Sequence, residues 1–261
     1  MVFTRRTTKT LKELGGSRCD LQGPMANSLL SRLSPHQFGH IERHLDLVTH
    51  EQSLVLQKTG QPVTYVYFVC GGLYSLVHSM VDGRFVQLAM TGREGLVGVE
   101  PIMECPAALN DVVLLVGPAS RSYRMRAETL SAIATAHPPI QRLLSAYAAT
   151  VMSEIIHTSA CNAVHTVDQR LAKSLLLIVD RLGSDEFFLT QESAAAMLGV
   201  RRATVSLAAS VLQRDRAIAY QHGSLSLRDR AALESRCCEC YYSIRRNHEE
   251  ALSPDWATLN R

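Results

Sequence analysis

The 261 residues are 46% hydrophobic and 20% charged, with a formal net charge of +3. That balance supplies a packed core and excludes a disordered, collagen-like or purely coiled-coil chain, and the length allows one large domain or two small ones. The longest aliphatic runs, Val112–Val116 and Leu175–Val179, fall far short of the roughly 20 residues of a membrane helix, so no membrane segment is expected.

The start of the chain, Met1 to Thr10, is basic and Thr-rich without an apolar run, so no secretory leader is expected. Seven cysteines, scattered except near the C-terminus, fit reduced thiols in a cytoplasmic protein. Residues 1–27 read as a flexible basic tail. Ser34-Pro35 then opens a short helix to about His44, because Ser caps well and Pro suits the first helical position. From Leu47 to Met125 short β-branched and aromatic runs recur: 53–57, 65–70, 72–78, 84–90, 112–116 and 122–125. Turn signals separate them at Gly71-Gly72, Asp82-Gly83, Thr91-Gly92 and Gly117-Pro118, with Asp82-Gly83 the strongest hairpin signal. The segment 28–137 therefore predicts an antiparallel, jelly-roll-like β-roll of about eight strands.

After Pro138-Pro139 the apolar period changes to 3.6, predicting a long helix over 138–162. Leu144, Tyr147, Val151 and Ile155 follow the spacing of a coiled-coil seam, so this helix is read as the interface of a homodimer. A hinge near Asn162–Thr166 precedes a helix over Val167–Leu182. Thr190 caps a short helix, Gly199-Val200 makes a tight turn, and a further helix runs from Arg201 to about Gln213. A hairpin turning at His222-Gly223 follows. Residues 163–236 thus predict a winged helix-turn-helix, followed by a C-terminal helix and tail over 237–261, Asp229–Leu252 being helical throughout. The fold class is α+β.

Six arginines against two aspartates between Gly199 and Arg230 give this stretch a local positive excess, the footprint of a duplex-binding surface. Arg202, Ala203 and Ser206 lie on the outer face of the second helix while Val205 faces inward. Arg202 is placed to read guanine, and Arg201, Thr204, Thr190 and Gln191 to hold phosphates, with His222 added at the wing tip.

At Thr190–Ile218 (TQESAAAMLGVRRATVSLAASVLQRDRAI) the chain resembles the helix-turn-helix of the Crp–Fnr family of bacterial transcription regulators. Gly60–Gly98 is similar to that family's β-roll sensor, and the likeness covers roughly residues 28–236 in order. The resemblance implies a homodimer on double-stranded DNA that addresses RNA polymerase, with no membrane partner. It also implies that Arg202 is a base-reading arginine. Ala203 and Leu207 stand where the family has an acidic and a basic residue, which points to a different target site.

In the sensor, the positions implied to surround an effector are Gly98, Val99, Asn110, Asp111 and Ile155. Val99 replaces the family's ribose-binding Glu, with Glu100 one step off and pointing the other way. Asn110-Asp111 replace the phosphate-binding Arg-Ser pair, and Ile155-Ile156 replace adenine-contacting hydroxyls. Cyclic AMP is therefore not expected, and no cofactor is. Only Cys19 lies where an iron–sulfur cluster needs several N-terminal thiolates. His78 is read as structural rather than as a haem ligand. No metal is expected either. Cys237 and Cys240 would share a helix face and are the candidate pair for a soft metal, with inert thiols as the preferred reading. No HExxH, Walker or GxSxG pattern occurs, so the chain is not expected to be an enzyme. The alternative is a ligand- or redox-sensing protein whose helix-turn-helix serves as a protein interface.

Overall fold

The computed structural model describes residues 9–10, 23–51 and 54–253. The flexible-tail expectation for residues 1–27 falls mostly outside these residues. Within it, Lys9–Thr10 form a short strand, β1, paired antiparallel with Thr49 and Val48. The chain divides into two compact units. One holds residues up to Leu76 with Met90–Ala148, the other Val77–Ala89 with residues from Ala149 onward.

In the first unit, helix α1 (Pro35–Glu42) starts at a capping box in which Ser34 and Gln37 satisfy each other's backbone N–H groups. Among the described residues the sheet has seven strands, the β4–β5 tip over Val77–Ala89 being counted in the second unit: β1, β2 (Asp46–Glu51), β3 (Val55–Gln57), β4 (Tyr65–Ser79), β5 (Phe85–Thr91), β6 (Leu96–Val97) and β7 (Asp111–Arg126). Its order is β1-β2-β7-β4-β5, with β3 also on β7 and β6 on β4. Val48, Tyr67, Val69, Tyr74, Val97, Val112 and Leu114 form its buried core. The tip of the β4–β5 hairpin turns at Asp82-Gly83 as expected, with Met80 N–H donating to the Arg84 carbonyl at 2.7 Å.

Two of the sequence-predicted turns are bends inside single long strands. Gly71-Gly72 lies within β4 and Gly117-Pro118 within β7. The reason is close approach rather than reversal. Gly72 has φ +83° and a Cβ there would fall 2.7 Å from Ser120 Cβ, while a Cβ on Gly117 would fall 3.2 Å from Gly72 Cα. The two neighbouring strands approach closely where Gly72 and Gly117 carry no side chain.

Helices α2 (Ala127–Ala136) and α3 (Pro138–Val164) follow, and α3 continues into the second unit. Its faces correct the seam read from the sequence. Leu144 and Tyr147 are each only 2% exposed. The Tyr147 hydroxyl donates to the Leu96 carbonyl at 3.1 Å, and Gly95 packs directly against the ring. These two side chains are consumed by the first unit's own core, and Val151 and Ile155 are half-buried. The outward stripe is instead Ser145, Ala149, Met152, Ile156 and Ser159, at heptad spacing, with Met152 and Ile156 each 61% exposed.

The second unit is built around α4 (Val167–Leu182), which a Thr166–Gln169 capping box opens and Gly183 closes. Leu171, Ala172, Leu175, Leu176 and Ile178 are fully buried, each large side chain contributing about 1.5–3 kcal/mol. Around it pack α5 (Gln191–Leu198), α6 (Arg202–Arg214), α7 (Arg230–Arg236) and α8 (Cys240–Ala251). The strand β8 (Glu186–Phe188) completes a three-stranded sheet with β9 (Ile218–Gln221) and β10 (Ser224–Leu227) in the order β8-β10-β9. The expected continuous helix over Asp229–Leu252 is two helices. Cys237 takes an extended backbone, φ −81° and ψ 164°, and ends α7. Among the described residues no single helix is long and apolar enough to cross a membrane.

Candidate nucleic-acid interface

The site is assembled from α5, α6 and the β9–β10 hairpin. Thr190 caps α5 by accepting from Ser193 N–H at 3.0 Å, and Gly199 ends it in the left-handed conformation, φ +64°. A Cβ on Gly199 would also press on Val86 Cγ1 at 3.0 Å, so glycine suits this turn on two counts. After the turn, α5 and α6 meet at a bend of 105°. That lies inside the roughly 90–120° of helix-turn-helix units. Val205, Ala208, Ala209 and Leu212 bury one side of α6, leaving its first turn free to enter a groove.

Arg201, Arg202 and Ala203 are exposed on that first turn, and Thr204 and Ser206 are half-buried. Among the described residues Arg201 has no ion-pair partner, whereas Arg202 Nε lies 3.5 Å from a Glu192 carboxylate oxygen. Both members of that pair are solvent-exposed. Such pairs contribute about 0–1 kcal/mol, so Arg202 can leave Glu192 for a stronger acceptor. Ser206 Oγ donates to Gln191 Oε1 at 2.6 Å, which ties α6 to the start of α5 and leaves the Gln191 amide group pointing its N–H donors elsewhere. Thr190 spends its hydroxyl on capping. His222, exposed at the wing tip, has φ +51° and Gly223 φ +85°, the pair of positive values of a type I′ turn.

Other cations of the basic stretch lie on the surface away from this first turn or are structural. Arg214, Arg216 and Arg228 are exposed. Arg230, counted in the basic stretch of the sequence, is instead structural. Its guanidinium donates to Asp180 at 2.7 Å and to the Tyr241 hydroxyl at 2.6 Å, joining α4 to α7 and α8. Glu192, the partner of Arg202, is the residue here that periodicity did not indicate; its place in the first turn of α5, about two turns before Gly199, was the available signal.

The positions implied to hold an effector fall in both units: Gly98, Val99, Asn110 and Asp111 in the first, Ile155 in the second. Glu100 follows Val99 on the chain. It is buried and accepts from Gln57 Nε2 at 2.7 Å and Leu109 N–H at 3.3 Å. Asp111 accepts from the backbone and hydroxyl of Thr59 at 2.8 and 2.9 Å, fixing the Thr59-Gly60 turn.

The cysteine pair named from sequence is also revised. Because the helix breaks, Cys237 and Cys240 do not share a helical face, and burial pushes the Cys237 thiol up to about 11. Cys238 is the residue turned inward, its Sγ 3.5 Å from that of Cys161.

A winged helix-turn-helix joined by a long helix to a β-roll is the class defined by these units. The comparisons agree. Residues 169–236 match the family described as the Crp-like helix-turn-helix domain. The chain is similar in fold to FixK2 from Bradyrhizobium japonicum, with 19% identity, a TM-score of 0.66, and coverage of 74% of this chain and 98% of that one. A putative Crp/Fnr-family transcriptional regulator from Eubacterium rectale gives 18%, 0.63, 81% and 98%. The c-di-GMP-responsive regulator CLP of Xanthomonas campestris gives 14%, 0.62, 74% and 99%. No curated protein matches the sequence significantly. Residues 169–236 are thus a Crp-like helix-turn-helix domain, and the chain as a whole is similar in fold to these regulators.

Proposed function

We propose that this chain is a sequence-specific transcription regulator that binds double-stranded DNA as a homodimer. One observation carries the reading: the first turn of α6, presented by the 105° bend, holds two adjacent exposed arginines, one without an ion-pair partner among the described residues. A protein-only interface seldom places two adjacent cations at such an end, whereas duplex DNA supplies phosphates for Arg201 and base edges for Arg202. The dimer forms along Ala149, Met152 and Ile156 of α3 rather than along Leu144 and Tyr147. RNA polymerase is the partner that the family resemblance implies.

The sensor roll, in this reading, does not hold cyclic AMP in the family's manner. Val99 offers no acceptor, Asp111 would repel a phosphate and is engaged by Thr59, and Ile155 and Ile156 offer no hydroxyl. Two measurements test the proposal. Selection from a random duplex pool should enrich a two-fold symmetric site with half-sites about one helical turn apart; enrichment of no motif would overturn it. Isothermal titration with cyclic AMP should give no micromolar binding heat.

A further inference from the structure

We propose that Cys161, His165, Cys238 and Cys240 form a closed, structural site for one zinc ion. Their four ligand atoms all lie within 4.8 Å of one another. Cys161 Sγ is 3.5 Å from Cys238 Sγ, and Cys240 Sγ is 3.7 Å from His165 Nδ1. A tetrahedral zinc ion with bonds of about 2.3 Å to sulfur and about 2.0–2.1 Å to nitrogen has edges of roughly 3.5–3.8 Å. Two of the six edges already have these lengths, and none exceeds 4.8 Å. Four donors this close surround a single ion and leave no room for the several irons of a cluster.

Two further observations point to a metal. The other ring nitrogen of His165, Nε2, lies 3.2 Å from a Glu239 carboxylate oxygen. Nε2–H donates to that carboxylate oxygen, which leaves Nδ1 as a bare acceptor facing Cys240, the arrangement found behind metal-bound histidines. The charges match as well. Lys173 is 4% exposed and its charge acts on Cys161 and Cys240, while Arg170, also buried, acts on Cys161 and Cys238. Among the described residues no carboxylate pairs with Lys173. A buried ammonium needs a counter-charge. Three thiolates around a divalent cation carry one net negative charge beside it.

The geometry also says what the ion does. Cys161 lies in the last turn of α3 and His165 directly follows that helix, its N–H donating to the Cys161 carbonyl at 3.1 Å, and Cys238 and Cys240 sit at the corner between α7 and α8. The ion would fasten the end of α3 to the far side of the winged domain, across the short break before α4. With all four positions filled by protein, none is open for substrate, which is the pattern of structural rather than catalytic zinc. Each thiol still protonated releases its proton on binding.

The test is the metal content of the full-length chain purified under reducing conditions without chelator, read by elemental analysis and native mass spectrometry. One zinc per chain is expected, with Cys237→Ser and Cys105→Ser unchanged and Cys161→Ser and Cys238→Ser losing it. Replacing zinc with cobalt(II) in the wild-type chain should give thiolate-to-cobalt absorption and the intense visible bands of tetrahedral cobalt. Because a ligand variant can fail to fold, Glu239→Gln supplies a milder perturbation and should weaken zinc affinity about 10–100-fold. A folded wild-type chain that takes up no zinc or cobalt overturns the proposal. So does full metal content in folded Cys238→Ser, or a native Cys161–Cys238 disulfide under those conditions, seen as a loss of two hydrogens.

Discussion

Histidine 50 should make the first unit sensitive to mild acid. Its side chain on β2 is fully buried, Nδ1 is bonded to the Tyr74 hydroxyl, and Nε2 has no partner among the described residues. Tyr74 in turn accepts from Ser120 Oγ at 2.8 Å, so the site is arranged around a neutral imidazole. Burial first, and the nearby Arg124 guanidinium second, push the pKa from 6.5 down to about 4. Between those values the unfolded chain binds a proton at His50 that the folded chain refuses. Stability is therefore complete above about pH 6.5, falls as the pH drops towards 4, and loses nothing further from this group below that. At about 1.4 kcal/mol per pH unit, the loss amounts to roughly 3 kcal/mol. Urea unfolding followed by circular dichroism at pH 7, 5.5 and 4, on the wild-type chain and on His50→Gln, measures it. The variant should start less stable and lose roughly 3 kcal/mol less across the range. Proton NMR should place the ring's titration near pH 4. Equal pH dependence in the two chains, or a titration near 6.5, would refute the reasoning.

Three other outcomes follow from contacts inside each unit. Arg181 and Glu154 form a buried two-armed ion pair at 3.0 and 2.6 Å, so Arg181→Ala should cost about 3–5 kcal/mol in urea unfolding, while a double replacement by Met and Leu should recover most of it. Gly95→Ala puts a Cβ into the Tyr147 ring and should cost about 1–3 kcal/mol, read as a lowered melting temperature. Ile156→Glu should give a monomer by sedimentation with the fold intact by circular dichroism, because the side chain is exposed in the single chain; an undisturbed dimer would move the interface off α3.

Local chemistry made much of this architecture legible. The capping residues Ser34 and Thr190 announced two helix starts, the Asp82-Gly83 and His222-Gly223 turns announced two hairpins, and all four behave as expected. What stayed hidden depends on distant partners. Gly72 and Gly117 look like turn residues in sequence. Only their meeting across β4 and β7 shows them to be points of close approach between neighbouring strands. Along α3 apolar residues occupy more than one face, so spacing alone could not tell Leu144 and Tyr147, claimed by the first unit, from Met152 and Ile156, left outside. The cysteine cluster is harder still, since Cys161 and Cys238 are separated by 77 positions and the break at Cys237 moves the inward role to its neighbour.

The central claim rests on Arg201 and Arg202 doing different work on DNA. Fluorescence anisotropy with the selected duplex and a scrambled one, over a salt series, tests it most directly. Arg202→Ala should lose about 1–3 kcal/mol on the selected duplex and little on the scrambled one. Arg201→Ala should weaken both alike and reduce the salt slope by about one for each phosphate the side chain no longer neutralises. Wild-type affinity that is the same for both duplexes, or unchanged by either substitution, would contradict the account.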